Sequence, residues 1–582
     1  MLGGYLRQVT GAALVLLGLV GAAPGQDVTL ALPGATATTG VLSGTTLVLV
    51  DRTVPAGYMH LYRAYDSSYR NPVVLVEGFD PQNSSLPADV YALANTSGAI
   101  DMIRAAGRSV WIVNFGDGGG ALTANAKLVS HAVQAASRYG GLASAKVDVV
   151  GLSMGGVISR YALAYDEQHG GGSDGLVRLF VSGDSPQQGA NAPISLQEII
   201  LFTADPTYTA LLNCDAALSL LYTSVRSYQG NGCLLGGLPS PTNWTGTSAA
   251  HDWFYNTLNA LNGDGYPHKC RNVAVANGST SPRPHSVGEA IYSARTYATW
   301  PFRFQVCSQT YGAQALDVAP GSLGSDFAPG SIRQSSFELD EHFVATFIPT
   351  DSALDKSGGV SRFDRSLVQT QAVSHSTITA DTTDFILEEA LGPARAYNPK
   401  YLPDGANATL YGWIVTAVFG GAFYAELPNR LSGLLVTSSA SVQEGNVVVV
   451  RGVMSTLGGE RRITASGVAV NPNAAVPRAL GMPIRSLGGA SLGSSTPGIT
   501  GASGLNNIGL LVRTSGVVTE VGAGSFVVGD GSGVTLRVTT QGFDPPAAGT
   551  SVILTGISSI EPAGPGYGRL LKLRKASDMV PI

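Results

Sequence analysis

The chain has 582 residues, of which 44% are hydrophobic and 13% charged, with 40 acids against 35 bases. A globular domain is about 25% charged, so this one is unusually neutral; intrinsic disorder is excluded, and no basic excess exists to neutralise the phosphates of a nucleic acid. The 74 glycines and 31 prolines follow no G-X-Y period, which excludes collagen, and the length allows roughly two to four domains.

Residues 1–25 read as a secretory signal. Arg7 gives the positive start, Thr10 to Ala23 the short apolar run, and Ala23-Pro24-Gly25 the small-x-small site, with cleavage before Gln26. The run is shorter than the roughly 20 residues of a membrane-spanning helix, so the expectation is a secreted protein, extracellular or periplasmic, without stable membrane insertion. The four cysteines are even in number, as in an oxidising compartment, and short loops favour Cys214–Cys233 and Cys270–Cys307. No CxxC spacing points to a metal.

Residues 26–398 alternate strand-like and helix-like segments. The apolar runs are Leu47–Val50, Val73–Glu77, Val110–Phe115, Val147–Leu152, Val177–Ser182 and Val273–Ala276; helical patterns include Thr123–Arg138 and Gly155–Gln168. This rhythm predicts a mostly parallel, doubly wound sheet with helices on both faces. From about 192 to 266 the rhythm breaks into a helix-rich apolar stretch, read as an inserted cap. Its Ile199, Ile200, Leu201 and Phe202 are candidates for acyl-chain contact or for core.

Beyond residue 399 short β runs separated by glycine-rich turns take over, and they repeat. Val415-Thr416 with Phe423 matches Val518-Thr519 with Phe526, Val436-Thr437 matches Val538-Thr539, and Gly445–Gly452 matches Gly549–Gly556. Two small all-β domains are expected, 399–490 and 505–582, joined by a flexible linker at 491–504. Asp530-Gly531-Ser532-Gly533 falls far short of a calcium loop and reads as a hairpin turn. Gly116–Gly120 lacks the Lys-Ser/Thr of a phosphate-binding loop and reads as a plain loop.

The sharpest motif is Gly151-Leu152-Ser153-Met154-Gly155. GxSxG recurs at Gly171–Gly175 and Gly489–Gly493, but only Ser153 stands between a strand and an amphipathic helix, the setting of a nucleophile elbow. Such a turn leaves no room for side chains nearby, hence glycine on both flanks and again at Gly156. A serine hydroxyl needs a base. His375, the last histidine, lies in a loop before a helix at Thr383–Leu391. His342 is the runner-up and reads better as a strand-edge residue, and His131 precedes the nucleophile. His60, His169, His251, His268 and His285 read as surface or packing residues.

On these residues the chain resembles an α/β hydrolase of the lipase/esterase kind from about Val73 to Gly392. Pro72–Pro81 resembles the strand carrying the family's first oxyanion loop, with Glu77-Gly78 where His-Gly is more usual. The resemblance implies an oxyanion hole from the N–H groups of Phe79 and Met154, His375 as base, and an acid between Ser153 and His375 in the chain. The strand end that most relatives use, after Arg271–Asn277, offers no nearby Asp. Asp184, which ends the preceding strand, is favoured; Asp355 and Asp351, in Phe347–Asp355, are the alternatives. Asp184 also reads as a turn residue, because Asp-Ser-Pro is good turn chemistry.

The C-terminal units resemble OB-like barrels. The implied function is a secreted serine hydrolase cleaving carboxylic esters, lipid or polyester among them, without metal or cofactor. Polymer or surface contact would fall to the β domains. The competing class is a non-catalytic extracellular binding protein that uses the hydrolase fold as a scaffold.

Overall fold

The computed structural model describes residues 57–140, 145–192, 197, 211–224, 247–280, 347–392, 397–471 and 474–582. It also describes the backbone of strands at 28–32, 283–284, 290–296, 304–309, 317–318, 331–334 and 337–340. The chain divides into two compact units. One holds the residues up to Arg63, Tyr69–Thr96 and Arg108–Ile386; the other holds Ala64–Ser68, Ser97–Gly107 and Leu387–Ile582.

The first unit is organised by an eight-stranded sheet. Its strands are β1 (Val28–Leu32), β2 (Gly57–Tyr62), β3 (Val73–Val76), β4 (Val110–Phe115), β5 (Val147–Leu152), β6 (Val177–Gly183), β7 (Arg271–Ser279) and β8 (Arg365–Gln369). Their spatial order is β1-β2-β4-β3-β5-β6-β7-β8. β2 runs antiparallel to both β1 and β4, and every pairing from β4 to β8 is parallel. The central strands are buried along their whole length. That explains why they read as unbroken apolar runs: a parallel sheet covered on both faces has no solvent side to mark with polar residues.

Helices α1 (Pro87–Ala94), α2 (Leu122–Tyr139), α3 (Met154–His169), α4 (Asp215–Leu220), α5 (Ala249–Ala260) and α6 (Ala380–Leu391) accompany the sheet. Leu128, Val129 and Val133 of α2 and Met154, Val157 and Ile158 of α3 join Val74, Val76, Val113 and Val149 in one buried cluster. Because β5 pairs with β3 and not with β4, the chain reverses direction across the sheet after β4. Strand ends at such a reversal open a crevice, the usual place for a ligand in open α/β sheets.

β1, β2 and β8 were not legible as strands, and Leu47–Val50 lies outside the described residues. A four-stranded antiparallel sheet follows β7, in the order Phe304–Gln309, Ala290–Thr296, Phe337–Asp340, Ser331–Gln334, which the sequence reading did not anticipate. Of the cap, α4 and α5 are described, whereas Ile199, Ile200, Leu201 and Phe202 lie outside the described residues. Cys214 and Cys270 are free thiols; Cys233 and the side chain of Cys307 lie outside the described residues. Among the described residues no helix is long and apolar enough to cross a membrane.

In the second unit, β9 (Asn407–Phe419), β10 (Ala422–Glu426), β11 (Gly433–Thr437), β12 (Val447–Leu457) and β13 (Glu460–Asn471) close into a barrel in the order β9-β10-β11-β13-β12. β14 (Leu511–Gly522), β15 (Ser525–Gly529), β16 (Thr535–Thr539), β17 (Ser551–Ala563) and β18 (Gly566–Lys572) follow the same order, and β14 pairs back to β17. The repeated phrases fall on corresponding strands: the first and second of each set, the third, and the fourth. In both sets the third and fifth strands run parallel.

The expected linker, 491–504, is instead packed. Ile499 is buried with Ile508 and Ile560, and the Thr496 hydroxyl donates to the Lys400 carbonyl at 2.6 Å. Glycine and serine content signalled a tether, but these small residues are what lets the segment lie close: a Cβ on Gly498 would stand 2.2 Å from the Ala490 carbonyl carbon. Two further buried groups bind this unit together. Glu460 accepts from Tyr424, Ser559 and Lys572, at 2.7, 2.7 and 2.8 Å. Lys400, whose ammonium burial pulls down to about 7, donates to Asn506 at 3.1 Å and to the Ile508 carbonyl.

Candidate active site

Three segments meet at the carboxyl edge of the first unit's sheet: the β5–α3 turn, the end of β6, and the loop between β8 and α6. The turn is sharp enough to put Ser153 at φ 52° and ψ −125°. A non-glycine residue held at positive φ costs on the order of 1–3 kcal/mol and persists where its surroundings enforce it. Here the enforcement is steric. A Cβ on Gly151 would stand 2.4 Å from Gly156 Cα, one on Gly155 2.3 Å from the Glu77 carbonyl oxygen, and one on Gly156 2.0 Å from Ser185 Oγ.

The loop after β8 brings His375 over the serine. Its Nε2 lies 2.8 Å from Ser153 Oγ, and its Nδ1 lies 2.6 Å from Asp184 Oδ2. A carboxylate against Nδ1 fixes the tautomer, leaving Nε2 as acceptor for the serine hydroxyl. Phe347 meets the imidazole edge-on, with ring centroids 5.2 Å apart. Asp184 directly follows β6 and takes φ 43°. Its N–H donates to the Val275 carbonyl at 2.8 Å, and its Oδ1 accepts from the Asn277 N–H at 2.8 Å. Asp184 is 4% exposed, so both of its oxygens act away from bulk water.

Met154 is the first residue of α3 and fully buried. Its N–H has no intrahelical acceptor and lies at the positive end of the helix dipole. Gly78 packs beside the serine: a Cβ there would stand 3.3 Å from Ser153 Cβ and 3.8 Å from Ser153 Oγ. Phe79 is the next residue along. Glu77, one residue before Gly78, is buried, and burial pushes its carboxyl up to about 8. It accepts from Asn114 Nδ2 at 2.6 Å and from the Phe115 N–H, tying the start of the Gly78–Phe79 loop to the end of β4.

The structure thus brings together Ser153, His375 and Asp184, and places the alternative acids elsewhere. Asp355 is buried against Arg160 at 3.1 Å and also accepts from Tyr266 and Gln188, at 2.9 Å each. Asp351 is mostly exposed and pairs with Lys356 at 2.9 Å. Its carboxylate therefore faces a surface ammonium, not an imidazole. His60 lies within β2, His131 on α2, His169 at the end of α3, His251 on α5, and His268 beside Asp264 at the surface. His285 and His342 lie outside the described residues. The other two GxSxG serines face local partners: Ser173 donates to Asp166 at 2.6 Å, and Ser491 accepts from the Gly498 N–H at 3.1 Å. Asp530, in the β15–β16 turn, accepts from the Ser532 N–H of that turn and from the N–H of Ile484, which precedes β14. Among the described residues no cluster of His, Cys, Asp and Glu could hold a metal ion.

The sequence reading missed Asn277. It sits near the end of β7 and touches both the acid and the histidine loop. A polar residue closing an apolar β7 run, at the strand end where an acid was sought, was the available signal.

No family model and no curated protein matches the chain. Its likeness to solved structures is slight. For Est1E from Butyrivibrio proteoclasticus the identity is 13%, with 22% of this chain and 47% of that one covered, at TM-score 0.17. For the hyperthermophilic esterase from the archaeon Pyrobaculum calidifontis the figures are 15%, 27% and 49%, at 0.19. For EstE1, a thermostable carboxylesterase cloned from a metagenomic library, they are 16%, 38% and 67%, at 0.22. The chain spans about half the length of the first two of these structures. All three are esterases.

Proposed function

We propose that the protein is a secreted α/β hydrolase that cleaves carboxylic esters through an acyl-enzyme. The observation that carries this reading is the continuous relay of two short contacts, Asp184 to His375 at 2.6 Å and His375 to Ser153 at 2.8 Å, at a strand-to-helix elbow. The strand order of the first unit, with β2 alone running opposite to the other seven strands, supports the same reading.

The chemistry follows from the geometry. Ser153 Oγ attacks the acyl carbon as its proton passes to His375 Nε2. Asp184 holds the ring and stabilises the imidazolium. The N–H groups of Phe79 and Met154 receive the oxyanion, and one such donor is worth about 10²–10³ in rate. Collapse expels the alcohol, which takes the proton from Nε2; water then repeats the sequence and frees the acid. The five-stranded order shared by the two C-terminal sets, with third and fifth strands parallel, supports an OB-like accessory role toward a polymer or surface.

The test is hydrolysis of p-nitrophenyl esters from acetate to palmitate by the full chain, with Ser153→Ala as control. Turnover of at least one ester that disappears in the variant is the expected result. No turnover of any of them by folded wild type overturns the reading in favour of the binding scaffold.

A further inference from the structure

Asp184 and His375 reach the site from different strands, β6 and the loop after β8, separated in the sheet by β7. Each sits on a separate connection, and a 2.6 Å contact between them requires their backbones to be registered. The residue that registers them lies on the strand between. The Asn277 N–H donates to Asp184 Oδ1 at 2.8 Å. Its carbonyl accepts from the Val373 N–H at 2.9 Å. Its side-chain Nδ2 faces three carbonyls of the histidine loop: Ser374 at 2.9 Å, Thr377 at 3.0 Å and His375 itself at 3.2 Å.

An amide NH₂ has two protons, so it serves the three carbonyls by sharing, and the loop is drawn around one nitrogen. Asn277 is buried, so water does not readily substitute for these bonds. A leucine would match its shape but leave the loop carbonyls unpaired, and an aspartate would set a carboxylate against three carbonyl dipoles. The chemistry of the site asks for a carboxamide.

Resting on the esterase reading above, we propose that Asn277 is the positioning residue of the relay, locking the base's loop to the acid's carboxylate through one side chain and one peptide unit. It touches neither substrate nor the reacting serine. Its removal lets the imidazole drift from Asp184, which loosens the partner that stabilises the imidazolium.

The experiment compares kcat and KM of wild type, Asn277→Ala and Asn277→Ser in the full chain, on the best ester of the panel. For the alanine variant kcat falls by roughly 10- to 100-fold, the scale of a displaced catalytic group, while KM stays within about twofold. Serine keeps one donor and recovers part of the loss.

A folded Asn277→Ala with wild-type kcat, or a serine variant that recovers nothing of the alanine variant's loss, overturns the proposal. So does failure of both variants to fold, which would make Asn277 a folding determinant. Wild type that hydrolyses no ester overturns the esterase reading itself, a different result from active wild type with indifferent variants.

Discussion

Two aspartates in the first unit share their burial and backbone conformation and differ in their partners. Asp184 and Asp355 both follow a regular element, both take φ 43°, and both are 4% exposed. Asp184 faces an imidazole whose side chain is 17% exposed and whose far nitrogen reaches a serine. Asp355 faces Arg160, a fully buried guanidinium that also donates to Gly265 and Asn259 and stacks 3.9 Å from the Tyr266 ring centroid. Burial and backbone strain therefore do not tell the two apart. The partner does: an imidazole can pass a proton onward, whereas an arginine stays charged at any working pH and can only hold.

The comparison is sharpened by removing each member in turn. Ser153→Ala, which deletes the terminus of one relay, has the largest effect, with ester turnover falling to background in steady-state assays. Asp184→Asn comes next, lowering kcat by on the order of 10⁴ through the wrong tautomer. Asp355→Asn does the reverse: kcat per folded molecule stays within about twofold while unfolding by denaturant shows a loss of roughly 3–5 kcal/mol, the cost of stranding a buried arginine. If Asp355→Asn abolishes turnover in a stable protein and Asp184→Asn does not, the roles are exchanged. Asp351→Asn, at an exposed pair, changes stability by less than about 1 kcal/mol and leaves turnover alone.

Glu77 extends the contrast to a buried acid bonded to an amide and a backbone N–H. Burial raises its pKa from 4.5 to about 8. The folded state then keeps a proton that the unfolded chain releases. Its contribution to stability is full below 4.5 and is lost as pH rises through 8. Glu77→Gln mimics the protonated form, so the fall in melting temperature between pH 5 and 8 becomes shallower in the variant. A slope identical to wild type would show that Glu77 is ionised throughout.

What could be read from the sequence follows the range of the constraint. The elbow was legible because its glycines are demanded within five residues of chain. The core strands were legible because burial on both faces erases alternation. The acid was not settled, because Asp184 and Asp355 differ in what they meet across the fold, His375 at a separation of 191 residues for the one and Arg160 for the other. Asn277 was passed over for the same reason: its role exists where three segments converge. The 491–504 segment was misread because glycine and serine serve tight packing as well as freedom, and composition alone does not separate the two.

Intact-mass analysis after treatment with a fluorophosphonate shows whether a single hydroxyl, at Ser153, is activated by the His375–Asp184 pair. One adduct per wild-type chain, mapped to Ser153, with none on Ser153→Ala and strongly slowed labelling of Asp184→Asn, is the predicted result. An unlabelled wild type, or an adduct that persists on Ser153→Ala, would contradict it.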